Sequence, residues 1–263
     1  MKHEKENIKM QILLASAKIM NSETSLAVPT HTHPKFFDQA QSFALELSNY
    51  SVEELAQKLG CSTKIALENK LRYQDFLNTN AYLPAILAYY GQAYKCLKAQ
   101  NFTDEDFRYA NDHLFISSFL YGLLRPLDDI HPYRLEGKIV LNAANDQNIF
   151  AYWKPFLTDI LIHAVKNDDG ILVHLATAEF QHLFDWKRIL KEVHVIQPLF
   201  MVDQGTKLKA VSMYAKSCRG AMTSYIIKNK ITNPSELLSF RYDGFEYKDR
   251  YGDADHPHFI LNQ

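Results

Sequence analysis

Between Tyr121 and Glu136 the chain reads YGLLRPLDDIHPYRLE, in which two arginines, two prolines, three acids and two tyrosines interrupt apolar sequence. Proline fixes φ and removes a backbone donor, so Pro126 and Pro132 stiffen a loop that presents side chains. Arg125, at the end of an apolar run, and Arg134 each offer a planar, permanently charged fork that matches carboxylate or phosphate. A plainer arrangement is equally open to these residues: the arginines pair with Asp128, Asp129 or Glu136 and simply hold the loop. A second unusual stretch runs from Gly205 to Lys230. It contains six basic residues (Lys207, Lys209, Lys216, Arg219, Lys228 and Lys230) and no acid. Lys216 and Arg219 are three apart, which places them on one helix face near its N-terminus, where the dipole also favours anions. A phosphate suits that place; a solvated helix face is the plainer reading.

The elements that must position these residues can be read from periodicity and capping. Ile12–Ala15 is a short apolar run suited to a buried strand, and Lys35–Leu47 repeats its apolar residues at helical spacing. Ser51 with Glu54 forms a capping-box signature for a helix ending at Gly60, and Ser62 or Thr63 caps the next helix through about Phe76. Thr103 opens a helix with three acids in its first turn. Leu83–Tyr90 reads as a strand, Tyr94–Ala99 as a short helix, and Ile116–Leu124 as a strand or the start of a helix. Ile149–Val165 is an amphipathic helix and Ile171–Ala176 a buried strand. Val193–Met201 is expected to pair as a hairpin with Leu208–Tyr214, and Tyr242–Tyr247 with Phe259–Leu261. Ala215–Lys230 is helical and Pro234–Leu238 a short helix. Helices and strands mix without strict βαβ alternation, so the expected class is α+β, a single mixed-sheet globular fold with surrounding helices.

Composition narrows the function classes. Of 263 residues, 47% are hydrophobic and 22% charged, which excludes a disordered chain. The net charge of −1 gives no overall attraction to nucleic acid, so any such binding must come from a local patch. Cys61, Cys96 and Cys218 share no CxxC spacing and suit reduced thiols in a cytosol. The brief apolar run Ile12–Ala15 is too short for a signal-peptide core, and no segment reaches the roughly 18–20 apolar residues that span a bilayer. A cytoplasmic location and no membrane partner are therefore expected.

Taken with its flanks, the stretch Phe119–Glu136, FLYGLLRPLDDIHPYRLE, resembles the signature of the YaaA peroxide-stress family. Other matches fall in order along the chain: Leu14-Ala15-Ser16-Ala17-Lys18, Tyr90-Gly91-Gln92-Ala93-Tyr94, Leu175–Phe180 and Tyr214–Met222, the last reading YAKSCRGAM. The resemblance covers roughly Met10 to Phe259. It marks residues 1–9 as a polar extension and 10–263 as the globular domain. It implies a mixed α/β fold of the family's own type, a helix-hairpin-helix element, DNA binding and a role in resistance to peroxide through limiting free iron and DNA damage. It assigns no secure reaction.

The residues at 54–72 have the shape of that helix-hairpin-helix, with Gly60, Ser62, Thr63 and Lys64 placed to meet a DNA phosphate through free N–H groups. Lys58, Lys70 and Arg72 against Glu68 add positive charge; an ordinary helical hairpin with solvated lysines is the plainer reading. Lys18, Arg125, Arg134, Glu179, Lys216 and Arg219 all lie in matching motifs at expected strand ends and loops, so we expect them to converge on one positively charged cleft. Glu179 would act there as a general base or by pairing with a basic neighbour. Two readings of that cleft follow: a double-stranded or branched DNA backbone, or an enzyme pocket for a nucleotide-like or other anionic small molecule. His31-x-His33 and His256-x-His258 lack nearby ligands of other types, so no metal and no cofactor are expected. Gly-rich phosphate loops, GxSxG and HExxH are absent from the sequence. Cys218 beside Arg219 is a candidate for a lowered thiol pKa.

Overall fold

The structure, a computed structural model, describes residues 9–262. The chain opens with β1 (Met10–Ala15), followed by α1 (Phe37–Asn49), α2 (Val52–Leu59) and α3 (Thr63–Gln74). Next come β2 (Leu83–Pro84), α4 (Ala85–Ala88), α5 (Gln92–Leu97) and α6 (Asp104–His113). The middle of the chain contains β3 (Leu114–Ser118), β4 (Gly122–Leu124), β5 (Asp129–Ile130), β6 (Val140–Leu141), β7 (Gln147–Asn148) and α7 (Ile149–Asn167). β8 (Ile171–His174), α8 (Ala178–Gln181), α9 (Trp186–Glu192) and β9 (His194–Ile196) follow. The last part comprises β10 (Leu199–Asp203), β11 (Leu208–Lys209), α10 (Ser212–Asn229), β12 (Arg241–Tyr242), β13 (Phe245–Gly252) and β14 (Pro257–Asn262). Of the expected N-terminal extension, residues 1–8 lie outside the described residues.

The fold is α+β. One five-stranded sheet has the order β4-β3-β1-β8-β9, and a second has the order β11-β10-β14-β13-β12. In the first, β3, β1, β8 and β9 are parallel and only β4 runs against them. β1 is central and is buried on both faces, which is why MQILLA is nearly unbroken apolar sequence rather than alternating. From β1 the chain crosses to β3 on one side and later to β8 on the other, so connections leave β1 in opposite directions.

The caps behave as their residue types dictate. The Ser51 hydroxyl accepts from the Glu54 amide at 3.2 Å, and the Glu54 carboxylate accepts from the Ser51 amide at 2.7 Å. Gly60 ends α2 at φ 57°, where a side chain is strained, and Ser62 rather than Thr63 caps α3. Three expectations are corrected. Leu83–Tyr90 is a strand only at its first two residues and then a turn of helix; almost every side chain there is buried, so no period distinguishes the two. Val193–Met201 is not one strand but β9 and β10, in different sheets, broken at Gln197-Pro198, where proline cannot donate to a ladder. Within 208–214 only Leu208 and Lys209 pair with β10, because Ser212 already starts α10.

α10 packs on α5, α6, β1 and β10, most extensively on α5. At Gly220 a Cβ would fall well inside van der Waals contact of the Ala93 carbonyl oxygen. Gly91, just before α5, similarly leaves room for the Ala17 side chain, which a Cβ would approach to 2.6 Å. Replacing a mid-helix glycine by alanine ordinarily stabilises by up to about 1 kcal/mol. Gly220→Ala is expected to reverse that sign and destabilise by roughly 1–3 kcal/mol through overpacking, as measured by urea unfolding.

Candidate functional site

A cavity of about 680 Å³ opens at the carboxyl ends of β1, β3 and β8. In open sheets with parallel centres, this edge, at the point where connections diverge, is where ligands gather. Here the divergence falls between β1 and β8, and the segments that follow those two strands, residues 15–19 and 175–180, line the cavity. α5 and the first two turns of α10 form its other wall.

Five of the six residues expected to converge do so: Lys18, Arg134, Glu179, Lys216 and Arg219 all line this cavity. Arg125 does not. It lies at the amino edge of the same sheet, where its guanidinium donates to the Gln11 side-chain oxygen at 3.0 Å and the Leu114 carbonyl at 3.2 Å and covers the Phe115 ring at 3.5 Å. Gln11 in turn donates to Asp168 at 2.6 Å. Burial pulls the Arg125 pKa down to about 10, while the charges of Asp112, Asp128 and Asp168 oppose that shift. Asp128 caps the turn instead of pairing with the guanidinium, accepting from the Arg125 amide at 2.7 Å and from the Thr32 hydroxyl at 2.7 Å. Arg125 is thus a fastener of β1 to β3.

Within the cavity the cations differ in their partners. Glu136 bridges Lys18, at 2.8 Å, and Arg134, at 3.3 Å. The Arg134 carbonyl accepts from the Tyr73 hydroxyl, so α3 helps hold this loop. Lys216 and Arg219 have no ion pair or side-chain hydrogen bond among the described residues. Arg219 is half-buried, and burial lowers its pKa from the usual arginine value. Glu179 is exposed and likewise unpaired among the described residues, so the expected pairing with a basic neighbour is not formed.

Some lining residues escaped sequence reasoning. Lys95 also faces the cavity, over the Tyr90 ring at 4.6 Å. The Gln92 amide donates to the Ser217 hydroxyl at 2.8 Å and ties α5 to α10. Tyr133 lines the floor, its hydroxyl linked to Ser118 at 2.6 Å and Tyr89 at 2.9 Å, with burial raising its pKa. For Tyr90, Gln92 and Lys95 the available signal was the segment YGQAY, whose glycine marks a close approach; Tyr133 stands within the 121–136 stretch.

The acid-free run does not form one surface. Lys207 and Lys209 lie on or beside β11, and Lys228 is twelve residues beyond Lys216, about 18 Å along the helix. Lys230 caps α10 and pairs with Asp106 at 2.5 Å. Cys218 is buried, and that burial pushes its thiol up to about 12, with Asp243 and Cys96 adding to the effect; the neighbouring Arg219 opposes it but does not prevail. The expectation of a lowered thiol pKa is corrected accordingly. His31 pairs with Asp129 at 2.8 Å and His256 with Asp253 at 3.1 Å. Among the described residues no three or more His, Cys, Asp or Glu side chains cluster to hold a metal ion.

The family model described as peroxide stress protein YaaA matches residues 10–251. A UPF0246 protein of Phocaeicola vulgatus is 46% identical over 253 residues, covering 96% of this chain and 99% of the relative. One of Bacteroides thetaiotaomicron is 46% identical over 252 residues, with 95% and 98% covered. One of Porphyromonas gingivalis is 39% identical over 257 residues, with 96% and 100% covered.

At the end of β8, His174 is buried with neither ring nitrogen hydrogen-bonded among the described residues, and its ring packs on Trp186 at 4.5 Å. Burial first, and then the Arg219 charge, lower its pKa to about 3. The unfolded chain takes up a proton at this histidine near pH 6.5 whereas the folded chain does not. The stability this contributes is present above pH 6.5 and falls as the pH drops towards 3, by up to about 1.4 kcal/mol per pH unit. His113 and His131, lowered by burial too, act in the same direction. Urea unfolding at pH 7.5 and pH 5 should show this loss, and His174→Leu should reduce it.

Proposed function

The chain belongs to the YaaA peroxide stress protein family, and on that premise we propose that it serves in the cytoplasmic response to peroxide by binding a small phosphate-bearing anion in the cavity at the carboxyl edge of its first sheet. The observation that carries this reading is Arg219, a half-buried guanidinium facing the cavity with no acid to neutralise it among the described residues. A desolvated, unpaired cation is costly, and an incoming anion relieves that cost. Lys216 lies one turn away on the same face, Lys18 and Arg134 line the same cavity paired with Glu136, and the volume is that of a small-molecule pocket. Glu179 is the one carboxylate on the lining among the described residues and is placed to take a proton from a bound ligand or water.

The expected result in calorimetric titration with inorganic phosphate and organic phosphates is binding that weakens as salt rises. Arg219→Gln should lower affinity at least tenfold, since a buried charge-assisted bond contributes about 1.5–3 kcal/mol. Unchanged binding by that variant removes Arg219 from the site.

A second reading, DNA binding through the α2–α3 turn, is favoured by one feature. Gly60, Ser62, Thr63 and Lys64 are all exposed at the N-terminus of α3, where amide groups meet a phosphate. The remaining basic residues of this pair are engaged within the protein. Lys70 donates to the Ser48 and Tyr50 carbonyls, Arg72 pairs with Glu68 at 2.5 Å, and Lys58 lies over the Tyr50 ring. None of these residues lines the cavity. Duplex binding through this turn therefore has few phosphate contacts, and its affinity should fall with salt on a log–log slope of roughly −1 to −2. In a gel-shift titration Lys64→Glu should abolish it while Arg219→Gln leaves it intact.

A further inference from the structure

Three large apolar side chains that stand in solvent share one place: Ile19, 62% exposed, Tyr90, 46%, and Met213, 57%, all line the mouth of this cavity. Exposed apolar side chains standing singly need no explanation, but a group of them at the rim of a pocket marks a contact surface. They are also held in place. The Tyr90 amide donates to the Ile19 carbonyl at 2.9 Å, and the bridge between Met20 and Tyr89 continues the pairing, so the two side chains are fixed to one short ladder. Met213 is three residues before Lys216 on α10, which puts an apolar contact and a cation on the same helix face.

Resting on the reading that the cavity takes a phosphate, we infer that its ligand is a nucleoside monophosphate. The phosphate reaches Lys216 and Arg219, and the base lies at the mouth against Tyr90, with Ile19 and Met213 on its flanks. A tyrosine ring accepts any base on its face. Methionine sulfur makes favourable contacts with aromatic edges. The cation on Tyr90, Lys95 at 4.6 Å, leaves one face of the ring for the base. An anion without an apolar end would use the cations and leave this rim in water. A fatty carboxylate would use both, but has no planar face to match the ring.

The test is calorimetric titration of the full chain with adenosine 5′-monophosphate, ribose 5-phosphate and decanoate. Base stacking on an aromatic side chain gives a preference of about tenfold or more for the nucleotide over the sugar phosphate. In Tyr90→Ala the ratio of those two affinities should fall towards one, whereas Tyr90→Phe should keep it. Equal wild-type affinities for nucleotide and sugar phosphate overturn the inference and leave the phosphate reading standing. Decanoate binding more tightly than the nucleotide also overturns it. Failure of both phosphates to bind overturns both. The wild-type ratio decides the matter even where a variant does not fold.

Discussion

Backbone packed on backbone at Gly220 brings α10 to the edge of the first sheet, and the rest of the cavity depends on it. Ala17, just past β1, sits against Gly91; α5 starts there and presents the Ala93 carbonyl to Gly220. Three segments are thereby stacked, backbone on backbone at Gly220 and with only the Ala17 methyl between them at Gly91. A larger residue at either position would push α10 outward, and with it Lys216 and Arg219. The Gln92–Ser217 hydrogen bond then fixes the rotation of the two helices about that contact. The same packing leaves Arg219 partly out of water, with no acidic partner among the described residues.

The two arginines of the 121–136 stretch divide the work of opposite sheet edges. Arg125 holds β1 to β3 at the amino edge through Gln11 and the Leu114 carbonyl, and Asp168 extends that network. Arg134 is at the carboxyl edge, tied to Glu136 and, through its own carbonyl, to Tyr73 of α3. The α2–α3 pair is therefore part of what positions the cavity wall, whatever its exposed turn does. Most of its basic side chains hold the pair itself: Lys70 caps the end of α1, and Arg72 pairs along α3. His174 adds a buried group, neutral at neutral pH, near enough for the Arg219 charge to help lower its pKa.

Much of the architecture could be read from residues alone. The capping boxes at Ser51 and Thr103, the glycine at the end of α2, the long helix from Ile149 and the buried strands β1 and β8 all follow local rules, because capping and periodicity act within a few residues. The six site residues are grouped by the family resemblance instead, and five of them line the cavity. Where burial was total, as from Leu83 to Tyr89, no alternation remained to separate strand from helix, and the reading failed.

What the sequence by itself determined was the family, the helix ends and the types of charge available to a site. Which charges meet was decided only by tertiary structure. Arg125 and Arg134 are nine residues apart and chemically alike, yet the segment between them carries one to each edge of the sheet. The six basic residues of 207–230 are continuous in the chain but are distributed along a hairpin and an 18-residue helix, so only Lys216 and Arg219 reach the cavity. Lys95 and Tyr90 join it from the segment YGQAYK, where the family resemblance singles out no charged residue. Pairing is a property of distances across the fold, and Lys230 with Asp106, 124 residues away, shows why composition could not supply it.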